Sequence, residues 1–448
     1  MSGKEAHVEN SIWMRAVLMG GIFLAIGLLA FATLGVGVAN FKHHAYEEAE
    51  LEYEKAVHAY DEAVAAGHSE AEIAHLEEEK EEAHHHEVEA HLSYLTYRTA
   101  GITLLLMCVT YASFIGVGGF INSIFPDAKA HDSHHGYGGE SHEHHGSGSP
   151  IIFAFGIMLF LMGFPAFQAT LSDLLSGVDA NLGDLGISLL GLMVVAAGVA
   201  NWWREDLPFI GNHEQIASSA PFTGQHIRKA GLWVFIMSEV MVFATFFSSY
   251  LRMRTEWCTG WQVDAGNCGE VTMLTASDFL RPGGASLGGL GGEGDFMTLL
   301  PGAINTFALI ISSYTIVLAL KTAHAHEWTA PKGWLGKLMP TQKIAIRNYL
   351  IATFLLGSTF IVLKLIEWSH LVAEGFTIGT QAGSIFYIAT GAHGLHVFIG
   401  LLVMLYLIFK ADTIGFDDKN GQGIEYFGLY WHFVDLAWVV IFPAFYLY

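Results

Sequence analysis

The hydrophobic and polar positions divide the chain into long apolar runs separated by shorter polar segments. Nine runs approach or exceed the ~20 residues that an α-helix needs to cross a bilayer. They lie approximately at 12–40, 95–125, 150–175, 183–203, 228–251, 299–321, 344–371, 381–410 and 425–448. The first run is apolar from Ala16 to Ala39, which is longer than the core of a signal peptide, so we interpret it as a retained helix. The pattern predicts an all-α, polytopic membrane bundle of about nine transmembrane helices.

One polar segment, residues 41–93, carries most of the negative charge. It holds 16 acidic residues, nine histidines and three lysines, which gives it a formal charge of −13. Its alanine and glutamate content favours helix, and Ser69 with Glu72 resembles a capping box that starts a second helix. We therefore expect an acidic helical hairpin that stands outside the membrane.

The predicted domain organisation follows from these patterns. Residues 1–125 form an N-terminal extension, in which two transmembrane helices flank the hairpin. Residues 126–149 are rich in histidine, glycine and serine and predict a flexible loop. Residues 150–448 contain the other seven apolar runs.

Composition and charge exclude several functional classes. Of the 448 residues, 52% are hydrophobic and only 14% are charged, whereas soluble domains carry about 25% charged residues. The net charge of −22 disfavours nucleic acid as a partner. The chain has three cysteines, too few for a disulfide framework, although Cys258 and Cys268 could pair in an oxidising compartment.

Lysine and arginine placement predicts the orientation. With the N-terminus in the cytoplasm, 13 of these residues lie on the cytoplasmic side and seven on the other side. The hairpin and the C-terminus would then face outward. The length and the absence of a transit peptide favour a prokaryotic plasma membrane.

Ionisable residues inside the apolar runs are candidates for function, because a charge at the centre of a membrane helix costs about 2.5–3.5 kcal/mol. Glu239 lies near the middle of the fifth run. Two interpretations stay open: a protonated carboxyl bonded to a neighbouring helix, or a proton-related role. Lys364 and Glu367 are three residues apart on one helix face, and we expect them to form a structural pair.

Two pairs of polar residues, one of two histidines and one of a histidine with an aspartate, have the same spacing of three residues. His393 and His396 lack a third ligand nearby in the sequence, so we predict packed, hydrogen-bonded side chains and no metal site. In the last run, Asp435 could orient His432, but no nucleophile accompanies them. The histidine-rich segments hold 15 of the 24 histidines at irregular spacing, which favours adventitious metal binding only.

From about residue 150 onward, the chain resembles subunit III of the haem-copper cytochrome oxidases. The matching motifs are Trp202-Trp203-Arg204-Glu205, Phe222-Thr-Gly-Gln-His226, Phe235-Ile-Met-Ser-Glu239-Val, Leu300-Pro301-Gly-Ala-Ile-Asn305-Thr306, Gly357 to Glu367-Trp368, Thr390 to Gly400 and Glu425 to Trp438. The chain departs from the family pattern at Lys364, where a neutral polar residue is usual, in the longer segment 204–222, and in the N-terminal extension.

The resemblance implies a seven-helix domain in which a lipid-filled cleft separates two helices from five. It implies that this chain binds no haem or copper, that subunits I and II hold these cofactors, and that the subunit binds phospholipid and supports proton uptake. Trp203, Arg204 and His226 match the lipid-contacting positions, and Glu239 matches the buried carboxylate. Structural polar roles are expected for the remaining matched residues, which are Glu367, His393, His396, Glu425, His432 and Asp435.

The leading interpretation is a non-catalytic subunit of a proton-pumping cytochrome c oxidase. One alternative is the equivalent subunit of a quinol oxidase, which commonly lacks the first two of the seven helices, whereas Trp202-Trp203-Arg204 indicates their presence here. Another is the related accessory protein of nitric oxide reductases. A secondary transporter would show inverted repeats, which the sequence lacks. The hairpin would attract a basic cytochrome c or pack against another subunit or respiratory complex, and both interpretations stay open.

Overall fold

The computed structural model describes residues 2–124, 148–175, 181–206, 217, 220–254, 296–373, 375–379, 381–416 and 421–447. Within these ranges the chain is almost entirely helical and has no strand. In the described part of the chain, eight helices are long and apolar enough to cross a membrane, and a shorter apolar helix lies at Gly183–Val199. The predicted polytopic helical bundle is therefore confirmed.

The helices are numbered in chain order. They are α1 (Ser2–Ala30), α2 (Ala39–Ala66), α3 (Glu70–Ile124), α4 (Ser149–Leu175), α5 (Gly186–Asp206), α6 (Ile227–Arg254), α7 (Phe296–Ala323), α8 (Trp334–Leu338), α9 (Gln342–Ala373), α10 (Gln381–Thr413) and α11 (Gln422–Phe442). A π-helical segment, Phe31–Val38, joins α1 to α2, and a second one, Pro443–Leu447, follows α11.

The polar ends of α2 and α3 form the acidic hairpin. Helix α2 ends at Ala66, and the capping residue Gly67 has a left-handed φ of 71°, which suits a residue without a side chain. Ser69 then caps α3, because its hydroxyl accepts a hydrogen bond from the backbone N–H of Glu72 at 3.4 Å. Between the two helices, the rings of Tyr46 and His91 stack with centroids 4.7 Å apart.

The chain divides into two compact units. The first consists of Met1–Ile26 and Met107–Gly211, and the second of Gly27–Leu106 and Asn212–Tyr448. In the first unit, α4 packs closely along α5 through glycines. A Cβ atom on Gly156 would overlap the backbone of Val195, which is the small-residue packing that membrane helices favour.

In the second unit, four helices form a square. Helix α7 packs against α9 and α11, α10 packs against α9 and α11, and α6 lies against α10 and α11. Phe360, Trp431 and Trp438 are fully buried. The two indoles donate hydrogen bonds to hydroxyls on α7, at 2.8 Å to Ser312 and 2.9 Å to Thr306, so their polar atoms are satisfied inside the bundle.

The N-terminal extension contributes helix packing to this second unit. Where the π-helical segment Phe31–Val38 meets α3, a Cβ atom on Gly101 would overlap the backbone of Gly35. The hydroxyl of Thr96 on α3 lies 2.8 Å from Nε2 of His370 on α9, which joins the extension to the square.

Candidate functional site

Glu239 of α6 and His396 of α10 form a hydrogen-bonded pair at membrane depth. The Oε2 atom of Glu239 lies 3.1 Å from Nε2 of His396, and both side chains are less than a fifth exposed. The Nδ1 atom of His396 is 2.7 Å from the backbone carbonyl of Ala392. Because a carbonyl can only accept, Nδ1 must carry a hydrogen.

A hydrogen bond between Oε2 of Glu239 and Nε2 of His396 requires a hydrogen on one of the two atoms. Either a protonated Glu239 donates to a neutral imidazole, or a carboxylate faces an imidazolium. Both arrangements contain one shared proton and have no net charge, which suits a low-dielectric site. A further hydrogen bond, from the Tyr430 hydroxyl to the backbone carbonyl of His396 at 2.9 Å, ties α11 to the pair.

His393 does not join His396. Its Nε2 atom donates to the backbone carbonyl of Val434 at 3.0 Å, and its ring lies about 5 Å from those of Phe360 and Trp438. The two histidines therefore bond to different groups, although their spacing places them on adjacent turns. Among the described residues, no group of three or more potential metal ligands is positioned around an ion.

Lys364 and Glu367 form the expected pair, and the structure adds a third member. The lysine donates to Oε1 of Glu367 at 2.8 Å and to the hydroxyl of Tyr446, which in turn donates to Glu367. The ammonium group lies 5.0 Å and 5.3 Å from the ring centroids of Phe386 and Trp438. The charge is thus enclosed by a carboxylate and aromatic faces.

His432 and Asp435 share a serine as a neighbour. The Nδ1 atom of His432 is 3.1 Å from the hydroxyl of Ser313 on α7, and Asp435 also interacts with Ser313 and with His432. His432 is exposed on the surface of the bundle.

Glu425 and His226 contact residues outside these clusters. Glu425 forms an ion pair with Lys229 at 2.7 Å, which joins α11 to α6. His226 precedes α6, and its ring lies 6.2 Å from that of Tyr426. Trp203 and Arg204 belong to the last turns of α5, but their side chains lie outside the described part of the chain, and so do Cys258 and Cys268.

Comparison with known proteins identifies the family. Residues 305–448 match the family model described as cytochrome c oxidase subunit III. A probable quinol oxidase subunit 3 of Staphylococcus epidermidis is 31% identical over 223 residues, which cover 49% of this chain and 89% of the relative. The cytochrome bo(3) ubiquinol oxidase subunit 3 of Pseudomonas aeruginosa is 30% identical over 218 residues, covering 48% and 83%. A heme-copper oxidase subunit I+III of Aeropyrum pernix is 27% identical over 336 residues, covering 69% of this chain and 32% of the relative. The chain belongs to the haem-copper oxidase subunit III family.

Proposed function

We propose that this chain is the non-catalytic subunit III of a proton-pumping haem-copper oxidase that takes electrons from a cytochrome c. In this proposal, haem and copper are held by subunits I and II. The Aeropyrum pernix relative supports the physical association, because its name combines subunits I and III. Purification of the tagged chain from its native membrane tests the assignment. A haem-copper subunit should co-purify in equal amount, with the haem spectrum of an oxidase, and its absence would refute the proposal.

The Glu239–His396 pair is the part of this chain that best supports a role in proton uptake. It places two side chains that can each carry a proton in hydrogen-bond contact at membrane depth. Replacing Glu239 by glutamine keeps the size and a hydrogen-bond donor toward His396 but removes the titratable carboxyl. We expect an assembled oxidase with altered turnover or faster inactivation during turnover.

A control separates this effect from a general loss of charge. Glu425→Gln also removes one carboxylate, but it does so from an ion pair whose carboxylate side chain is 31% exposed. The control should keep the wild-type pH profile of turnover. If Glu239→Gln matches wild type in turnover, proton pumping and inactivation rate over a broad pH range, the pair is only structural.

The acidic hairpin is the feature that favours cytochrome c as the donor. The polar part of α3, from residue 70 to residue 93, is 24 residues long and extends about 36 Å at 1.5 Å per residue. Its glutamates between residues 77 and 82 are all exposed. On the outward side of the membrane, a charge of −13 would steer a basic donor by long-range attraction, and a quinol that dissolves in the bilayer would gain nothing from it.

Deleting residues 45–90 and joining the helices by a short glycine-serine linker tests the donor. The deletion should raise the KM for reduced cytochrome c severalfold at low ionic strength, and the difference should disappear at high salt, where the screening length falls to a few ångströms. Turnover driven by quinol is measured on the same preparations for comparison with turnover driven by cytochrome c. A purified oxidase that oxidises quinol and not cytochrome c would refute the donor assignment. Loss of a partner subunit with unchanged donor kinetics would assign the hairpin to packing.

The phospholipid role that the family resemblance implies for Trp203, Arg204 and His226 stays a prediction. Arginine can bind a phosphate through two parallel hydrogen bonds, which makes Arg204 the residue to test first.

A further inference from the structure

The short helix α8 presents an apolar face at one end of the second unit. Trp334, Leu335 and Leu338 lie within about 100° of one another around the helix axis, as their spacing in an α-helix requires. Their side chains are 70%, 39% and 50% exposed. We call these three residues the anchor stripe. Large apolar side chains that are exposed together indicate a contact surface.

Contacts with α9 hold α8 beside the first turns of that helix. The side chain of Asn348 donates a hydrogen bond to the backbone carbonyl of Leu338 at 2.7 Å. Asn348 is six residues inside α9, about 9 Å along its axis, so α8 lies at the flank of α9 and not beyond its end. Gln342 closes the connection to α7 by donating to the backbone carbonyls of Thr322 and Ala325. Because α7 and α9 are both candidate membrane spans, α8 lies at the level of the lipid head groups.

The segment around α8 is positively charged. Residues 321–347 contain four lysines and one arginine against one glutamate, a formal charge of +4 in a chain whose total is −22. Lys332 precedes the anchor stripe and Lys337 lies within it in sequence, and both are exposed. The distribution of lysine and arginine predicts that this end of the bundle faces the cytoplasm, where the leaflet carries anionic lipids.

We propose that α8 anchors the protein to an anionic lipid surface. The anchor stripe inserts between head groups and acyl chains, and Lys332 and Lys337 bind the phosphates of anionic phospholipids. Tryptophan and lysine beside an apolar stripe are typical of helices that lie in the membrane interface. Lysine is depleted from protein–protein interfaces, which favours lipid over a partner protein as the occupant. This site lies between α7 and α9, away in sequence from the lipid-contacting positions that the family resemblance implies.

Quenching by brominated lipids tests the anchor in the full chain, purified in its native complex and reconstituted into nanodiscs. A fluorescent amino acid replaces Leu338 or, as the control, Leu51, which is 54% exposed on the acidic hairpin. At residue 338, brominated phosphatidylglycerol should quench at least about fivefold more than brominated phosphatidylcholine at equal mole fraction, because one lysine at an anionic surface supplies about that preference. At residue 51, neither lipid should quench.

A pair of double variants separates charge from apolar contact. Lys332→Gln, Lys337→Gln removes two positive charges beside the anchor stripe, and Lys55→Gln, Lys80→Gln removes two from the acidic hairpin. The first variant should lower the ratio of the two quenching efficiencies at residue 338 severalfold, and high salt should lower it in the same way. The second variant should keep the ratio of the wild-type chain.

The comparison of the two lipids at residue 338 needs no lysine variant to fold. Equal quenching by both lipids there would overturn the proposal, because the contact would then lack anionic selectivity. Absence of quenching by both would also overturn it, because protein or solvent would then cover the anchor stripe. Either result leaves the proposed function intact, since co-purification of a haem-copper subunit tests that function separately.

Discussion

Replacing Lys364 by methionine should destabilise the second unit strongly, because it leaves a buried carboxylate without its cation. The side chains of Lys364 and Glu367 are only 4% and 12% exposed, so solvent screens their interaction little. Removing one member of a buried ion pair costs about 3–5 kcal/mol. We expect a value near the lower end, about 3 kcal/mol, because the Tyr446 hydroxyl still donates to Glu367.

A double-mutant cycle separates the pair energy from the loss of packing. In Lys364→Met, Glu367→Met, both charges are absent and similar volume remains, so the stability should return to within about 1 kcal/mol of wild type. Lys343→Met is the matched control. Lys343 donates to the backbone carbonyl of Thr413 at 2.9 Å in an exposed position, where a hydrogen bond contributes about 1 kcal/mol.

Unfolding of the purified chain in mixed micelles, followed by circular dichroism, measures these differences. A loss of about 3 kcal/mol corresponds to about a hundredfold shift of the folding equilibrium. The reasoning is refuted if Lys364→Met is as mild as Lys343→Met. It is also refuted if the double variant is as unstable as the single one, because the cost would then come from packing alone.

Two further predictions concern the packing of α3 and the lipid contact. Gly101→Leu should disrupt the packing of α3 on the π-helical segment, because the new side chain would meet the backbone of Gly35. Gly116→Leu on the same helix is the control, since its side chain enters open space and should be tolerated. Equal yields of folded protein from the two variants would contradict this prediction. Arg204→Ala should lower the phospholipid that co-purifies with the oxidase, and unchanged lipid content in native mass spectrometry would exclude a phosphate contact.

The sequence predicts what depends on local pattern. Apolar run length identifies the spans, and the Ser69 cap follows from residue types three positions apart. Glu239 is a candidate because it is a lone carboxyl in an apolar helix. The partner of Glu239 cannot be assigned from the sequence, because His396 lies 157 residues away. The three-residue spacing of His396 from His393 instead suggests that these two histidines are neighbours. Rotation of α10 against α6, which tertiary packing sets, decides between the two histidines.

The other features that the sequence does not predict depend on contacts between elements that are distant in the chain. Tyr446 completes the Lys364 cluster from 82 residues away, and tyrosine in an apolar run gives no signal of such a role. The π-helical segment beside Gly101 also cannot be predicted from the sequence, since its residues have the pattern of an ordinary apolar α-helix. The spacing of His432 and Asp435 predicts that they lie together, but no local pattern indicates that Ser313 accompanies them on an outward surface.

The uninterrupted course of α3 has a mechanical consequence. Because one helix runs from Glu70 to Ile124, its polar part, residues 70–93, would act as a lever arm that moves with the apolar part of the same helix. A tilt of about 10° would displace the tip, about 36 Å from the surface, by roughly 6 Å. The Thr96–His370 contact joins α3 to α9 close to the point where the polar part of α3 gives way to its apolar part. A protein that binds the hairpin tip would therefore exert a torque on the helices of the square, and a shift of α9 would reposition the tip.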